Sequence, residues 1–424
     1  MTSPKVSPPF LSSVLVWIRT SQAKSPSTHI EVAMSRHASG SCLSAAGSST
    51  LPALATSHND AMTQIAALSE TYTQARQAFL DAAGSAGARF EHHVHSLTGP
   101  TGEELAIDVA EFGAADATNV VVVLSATHGV EGYCGSALQR HWLEHHLSEL
   151  PDSVGLIMVH ALNPYGFAWV RRVNEDNVDL NRNFIDWSLA PPPNTDYDRI
   201  AALVVPSDWS EATQAASLTA LLELANEIGL DRMQGVVSGG QYSNPTGVFY
   251  GGTKPVWSHQ WLRAWAASRL ANVEQLTIID LHTGLGASGH GELIGSEPTG
   301  SEMHRRAEQI WGDVRSMLDG DSVSAALSGD WLAIVNELAP HAACAAVALE
   351  FGTVDPITVL QALRADAVLH AYGNPTGPDA GAVRAQVRAA FADDRPEWIA
   401  DVWSRFSDVL TKALAHAGGV RSRQ

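Results

Sequence analysis

Four places in the 424-residue chain gather side chains able to hold a metal ion and move a proton. His128 and Glu131 stand in "ATHGVEG", directly after the apolar run "VVVVLS". Asn163 closes the next such run, Asp280 and His282 close "LTIIDLHTG", and Glu350 closes "AACAAVALEFGT". Two neutral imidazoles and one carboxylate, from His128, Glu131 and His282, make the three-ligand set with which zinc hydrolases hold their metal while leaving a position for water. A metal so held brings the pKa of water towards neutrality and polarises a carbonyl. Glu350, outside that set, is the carboxylate expected to take the water's proton and hand it to a departing amine. An H-x-x-E alone is common by chance, His282 alone could be a hydrogen-bonded strand residue, and Glu350 alone could cap a helix. Their coincidence at the ends of apolar runs carries the reading.

Between them lies "NPYGFAWVRRVNEDNVDLNRNF", residues 163–184. It brings Arg172, Asn181 and Arg182 near the second strand end. Arginine offers a planar fork that suits a carboxylate, and asparagine adds a neutral donor and acceptor. A solvated polar loop is the alternative.

The elements that must position these residues are legible as an alternation. "NVVVVLSAT", "GLIMVHALNP", "LTIIDLHTG" and "AACAAVALEFGT" are near-continuous apolar runs, which mark strands buried on both faces. Helical spacing is seen over 60–84, after the first run at "GSALQRHWLEHHLSEL", and around 211–229, 257–271, 301–318, 356–371 and 395–417. "FEHHVHSLTGPTGEELAIDVAEFG" reads as a hairpin about a Gly-Pro turn, and "LAPPPNTDYD" as a long surface loop. The fold class expected is therefore α/β: a doubly wound, mostly parallel mixed sheet with helices on both faces, binding its ligand beyond the carboxyl ends of the strands.

The ordered motifs H-x-x-E, N-P-x-G, R-x-N, D-x-N-R-N, a distant His and a strand-borne Glu resemble the zinc carboxypeptidase superfamily. "HGVEGYCGSALQ", "RRVNEDNVDLNRNF", "GGQYSNPTGVFYGG", "DLHTGLG" and "ALEFGT" resemble more closely a branch known as a domain of unknown function and taken to be metal-dependent peptidases. The resemblance runs from about residue 60 to beyond 370. It implies that fold, one zinc ion on His128, Glu131 and His282, and Glu350 as general base and acid. It implies further that Arg172 polarises the scissile carbonyl and stabilises its oxyanion, that Asn181 and Arg182 grip a terminal carboxylate, and that Asp179 orients the first zinc histidine. The implied substrate is a peptide or an N-acyl amino acid with a free carboxylate.

The chain also departs from the pattern. Digestive-type carboxypeptidases often carry an arginine between the zinc His and Glu, where this chain has Gly129 and Val130. "DLHTG" is closer to the succinylglutamate desuccinylase and aspartoacylase branch. Asp280 shares a strand face with His282, so it either orients a metal histidine, faces substrate or caps. Tyr242 and Tyr250 are the candidates for a tyrosine that closes over substrate, with strand or core tyrosines as the alternative. A carboxypeptidase-type peptidase, an amidohydrolase acting on N-acyl amino acids, and a metal-binding protein without catalysis are the three functions left open.

Other histidines are read as bystanders. His92, His93 and His95 lie in the hairpin without an acid partner at a strand end. His141, His145 and His146 follow the zinc motif without the glutamate of an H-E-x-x-H sequence, and read as a polar helix face. Cys134 reads as a small buried residue.

Composition bounds the rest. Apolar residues make up 45%, enough for a large core. A formal net charge of −19 argues against nucleic acid or anionic membrane as partners. Three widely spaced cysteines form no disulfide framework and fit a cytoplasmic setting. Residues 1–58, rich in Ser, Ala, Thr and Pro, are expected to lie outside the catalytic domain, which spans 59–424. They form either a tail, a mis-assigned start (Met34 or Met62 being later ones) or a segment targeting an organelle or export. Oligomeric state is not legible.

Overall fold

A computed structural model of the chain describes residues 68–419. The expected extension 1–58, the start of the 60–84 helix, and Cys42 lie outside the described residues.

The fold is α/β, as the alternation of elements predicts. Eight strands form one mixed sheet in the order β1-β2-β4-β3-β5-β8-β6-β7. They are β1 (Arg89–Thr98), β2 (Glu104–Phe112), β3 (Asn119–Leu124), β4 (Val154–His160), β5 (Gln275–Ser288), β6 (Gly291–Gly295), β7 (Arg315–Ser316) and β8 (Ala343–Gly352). The central strands β4, β3, β5 and β8 run parallel, and the β1–β2 hairpin and β6 join antiparallel. Every residue of β4, and all of β3 except Asn119, is buried, because helices cover both faces. On one face, Leu262, Trp265 and Ala266 of the helix Trp257–Arg269 pack against Val122, Leu124 and Ile278. On the other, the helix Gly132–His145 comes so close that a side chain at Gly135 would touch Ser125 and Leu281.

β3 connects first to β4 on one side, and the chain later returns to place β5 on its other side. The gap beyond the carboxyl ends of β3 and β5 is thus the switch point of the sheet, where doubly wound proteins bind ligands.

Several boundaries differ from those expected. The first described helix starts at Tyr72, after the Thr71 side chain accepts a hydrogen bond from the Gln74 amide. The 301–318 segment is helical only over Glu302–Trp311. Gly312 leaves the helix at φ +87°, and the chain re-enters the sheet as β7. The surface loop after Leu189 ends at Asn194, which caps the helix Thr195–Val204. The largest difference is in β5. It does not end near His282 but continues to Ser288, pairing beyond Asp280 with β8 alone. Asp280 therefore closes the pairing with β3, while His282 and Glu350 sit beyond it within the strands, where β8 is flanked by β5 and β6, rather than at strand ends. β6 and the helix Ala380–Phe391 were not expected, the first because it is short.

Candidate metal centre

The turn after β3 is built by close backbone packing. Ala126 takes a left-handed conformation (φ +57°) that breaks the strand. A Cβ at Gly129 would lie 2.0 Å from the Gly166 carbonyl carbon, so only glycine allows the turn to lie against the 164–169 helix. Asn163 caps that helix by accepting from the Gly166 amide at 2.8 Å, which gives this strand-end residue a structural role. The amides of Gly129 and Val130 donate to the Arg172 and Arg171 carbonyls at 3.1 and 2.8 Å. Those two bonds bring Arg172 to the turn. Val130 itself is fully buried.

His128, Glu131 and His282 converge. The Nδ1 atoms of His128 and His282 are 3.1 Å apart, and the Glu131 carboxylate lies 3.0 Å from the first and 2.9 Å from the second. All three residues are buried. At the far side of each ring an aspartate waits. Asp179 Oδ1 is 3.2 Å from His128 Nε2, and Asp280 Oδ2 is 2.7 Å from His282 Nε2. When each Nε2–H donates to its aspartate, both Nδ1 atoms present lone pairs to one another and to a carboxylate. Acceptors at such separations need positive charge between them. Their spacing is close to the edge of about 3.3 Å expected for ligands about 2.0 Å from one tetrahedral metal. The residues fit a metal ion held by two imidazoles and a carboxylate. The second contact of His282 places Asp280 behind the histidine.

The surrounding charges answer the same centre. Burial alone would raise the Glu131 carboxyl, but the His128 and His282 imidazoles overcome it and hold it far below the usual carboxylate range. Arg172 donates to Asp179 Oδ2 at 2.9 Å and Glu131 Oε1 at 3.1 Å; its Nη2 also stands 2.8 Å from His128 Nε2, a contact that is no hydrogen bond in the tautomer whose Nε2–H faces Asp179. Asp179 is further held by the Asn181 amide at 3.0 Å.

Glu350 is opposite His282 in the parallel register of β5 and β8. Its Oε1 accepts from the Leu285 amide at 2.8 Å. Gly284, at φ +141°, turns that amide inward, a conformation side-chain-bearing residues rarely adopt. Burial, with the Glu131 charge adding to it, pushes the Glu350 carboxyl up to about 7.

Asn181 and Arg182 lie beside the centre in a buried 3-10 turn that Asp179 caps. Asn181 Oδ1 is buried without a partner among the described residues. The Arg182 guanidinium donates from Nε and Nη2 to the Ser238 carbonyl and from Nη1 to the Asn181 carbonyl. The two tyrosines are not available to cover a substrate in this structure. Tyr250 is a core residue packed with Val178 and Leu180, and the Tyr242 hydroxyl donates to the Arg182 carbonyl at 2.7 Å. Tyr250 thus matches a core tyrosine, whereas Tyr242 is half-buried in a loop.

Three neighbours of the centre were not legible as such. Thr127 Oγ1 and Trp331 Nε1 each donate to Asp280 at 2.7 Å, so three donors converge on that carboxylate. Phe249 lays its ring beneath both arginines, 5.3 Å from the Arg172 guanidinium and 5.2 Å from that of Arg182. Thr127 adjoins the H-x-x-E and offered a signal. Trp331 and Phe249 come from distant loops and offered none. Among the histidines set aside, His92 contacts Asp108 and His93 contacts Glu91, while His95 is buried 3.3 Å from Glu175. Cys134 is buried, and burial pushes its thiol up.

Fold and site together define a doubly wound α/β protein with a buried His–Glu–His cluster that could hold a metal ion at its switch point. The chain belongs to the family described as "Protein of unknown function (DUF2817)", whose model matches residues 68–405. No curated protein matches it. Among solved structures it is similar to bovine thrombin-activatable fibrinolysis inhibitor, in complex with tick carboxypeptidase inhibitor, at 10% identity over 82% of this chain and 97% of that one (TM-score 0.45). A metallo-carboxypeptidase from Burkholderia cenocepacia is similar at 14% identity over 79% and 69% (TM-score 0.33). The succinylglutamate desuccinylase from Chromobacterium violaceum is similar at 15% over 70% and 74% (TM-score 0.34). Among the described residues, no helix is long and apolar enough to cross a membrane.

Proposed function

We propose that the protein is a zinc-dependent hydrolase that cleaves an amide bond next to a free carboxylate, most simply a carboxypeptidase-type peptidase. The observation that carries this reading is the convergence of His128 Nδ1, Glu131 and His282 Nδ1 with a separate carboxylate, Glu350, beside His282. Zinc bound there would activate water and polarise the scissile carbonyl. Glu350, raised towards neutrality, takes a proton from the attacking water and returns it to the amine nitrogen as the C–N bond breaks. Arg172 supplies positive charge where the carbonyl oxygen becomes an anion. Asn181 and Arg182 receive the substrate's free carboxylate, Arg182 by exchanging its bond to the Ser238 carbonyl for a bidentate one. Asp179 and Asp280 keep the two imidazoles in one tautomer and one orientation. The two buried free cysteines, Cys134 and Cys344, suit a cytoplasmic setting.

Deacylation of an N-acyl amino acid needs the same groups, because its free carboxylate lies on the same side of the amide. A panel of peptides with free and amidated C-termini, together with N-acyl amino acids, tests the reading on the zinc-loaded chain. Release of an amino acid from substrates with a free carboxylate supports it. Activity confined to blocked C-termini contradicts the roles of Asn181 and Arg182, and no hydrolysis by a zinc-loaded chain favours a metal-binding protein without catalysis.

A further inference from the structure

The helix Gly132–His145 leaves the first centre at its N-terminus and carries a second group of ligating side chains in its last turns. We propose that His141, Glu144 and His145 bind a divalent transition-metal ion of the zinc, nickel or copper class. This site is separate from that of His128, Glu131 and His282 and independent of it.

The spacing i, i+3, i+4 sets the three residues on one helical face. One ligating atom of each lies within 4.8 Å of the other two, and the two imidazole rings are 4.4 Å apart between centroids. His141 is not the solvated polar residue its sequence context suggests. It is only 7% exposed, it stands edge-on to Trp403 at 4.3 Å, and its Nδ1 is buried with no partner among the described residues. A buried imidazole with an unanswered nitrogen costs free energy that a metal bond or hydrogen bond would recover.

The helix end and the Glu144 carboxylate favour a cation at this place, against the charge of Arg140. The last turn of a helix carries the negative end of its dipole. The competing cation is Arg140, whose Nε is 3.9 Å from Glu144, too far for a hydrogen bond, while its Nε and Nη2 are buried without partners among the described residues. Glu144 Oε2 already lies 3.8 Å from His145 Nε2, so the carboxylate stands between that imidazole and Arg140. Two imidazoles and a carboxylate select zinc, nickel or copper over magnesium or calcium, which prefer oxygen ligands alone.

The site is not a partner ion for the first centre. About ten residues of helix separate His141 from Glu131, or roughly 15 Å at about 1.5 Å per residue, whereas metals that share one reaction stand about 3.5–4 Å apart. An ion here would instead pin the last turns of this one helix, whose His141 packs on Trp403 of the helix Pro396–Ala417, stabilising the fold as it binds.

Counting zinc bound per chain, after chelator stripping of the full-length protein and dialysis against Zn2+, tests the proposal. His145 and Glu144 are exposed, so His145→Ala and Glu144→Gln do not endanger folding. One zinc equivalent is expected to persist in His282→Ala and to disappear in both His145→Ala and Glu144→Gln. The proposal is overturned if these two variants bind as much zinc as the wild type, or if no equivalent survives His282→Ala. Loss of the other equivalent alone bears on the first centre and not on this one.

Discussion

His282 and Glu350 stand side by side on neighbouring parallel strands, in the stretch where β5 and β8 have outrun β3. The proposed metal ligand and the proposed proton carrier are thereby held by one ladder of backbone hydrogen bonds. Glu350→Gln keeps the shape and can still accept from the Leu285 amide, but it cannot take a proton. It is expected to lower kcat by about 10²–10⁴-fold while leaving zinc content unchanged. Steady-state kinetics with metal analysis checks this, and a fully active Glu350→Gln protein would remove Glu350 from the mechanism.

Asp280 is the better anchored of the two aspartates behind the histidines, since Thr127, Trp331 and His282 all reach it at 2.7 Å. Hydrogen bonds to a charged group contribute about 1.5–3 kcal/mol each. Asp280→Asn is expected to weaken zinc binding by about 10–100-fold. Trp331→Phe, which keeps the ring and loses only the donor, should weaken it less. Competition with a chromophoric chelator measures both affinities, and unchanged affinity in Asp280→Asn would show that His282 needs no orienting partner.

Phe249 holds a left-handed backbone (φ +53°) while its ring lies under the guanidinium groups of Arg172 and Arg182. Such a conformation costs a side-chain-bearing residue about 1–2 kcal/mol that glycine does not incur. Two cation–π contacts of about 0.5–1 kcal/mol or more each offset it. Phe249→Gly should accordingly be more stable than Phe249→Ala by about 1 kcal/mol in chemical denaturation, while both lose kcat/KM because neither supports the arginines. Equal stability of the two variants would argue against strain at this position.

His160, at the end of β4, is fully buried, stacked on Phe79 at 4.7 Å and 2.9 Å from Ser136 Oγ. Burial lowers its pKa from 6.5 to about 4. Between those values the unfolded chain binds the proton and the folded chain does not, so stability is intact above pH 6.5 and falls as the pH drops towards 4. The loss from His160 alone is about 3 kcal/mol. Denaturation at a series of pH values should show a shallower acid loss for His160→Gln than for the wild type. An identical slope in both would mean that His160 is protonated in the fold.

Much of this architecture is legible in the sequence because buried parallel strands and surface helices have distinct periods. The runs around Val122, Ile157, Ile278 and Val347 could hardly be anything but central strands. His128, Glu131, His282 and Glu350 were legible because each follows or ends such a run, and topology does the rest. What the pattern could not reveal is the overhang of β5, since "DLHTG" carries the glycine that usually ends a strand, yet here Gly284 turns an amide towards Glu350. Nor could it reveal that the Arg182 guanidinium is folded onto the Ser238 carbonyl, or that His141 is buried under Trp403. Those facts depend on which loops meet, and loop meetings leave no period in the chain.

The central claim is that His128, Glu131 and His282 hold a metal. The most direct measurement is an anomalous difference map at the zinc edge, from crystals of the zinc-replete protein. The account predicts a peak about 2.0–2.2 Å from His128 Nδ1, a Glu131 oxygen and His282 Nδ1. Zinc-replete crystals with no peak among these three side chains would contradict it.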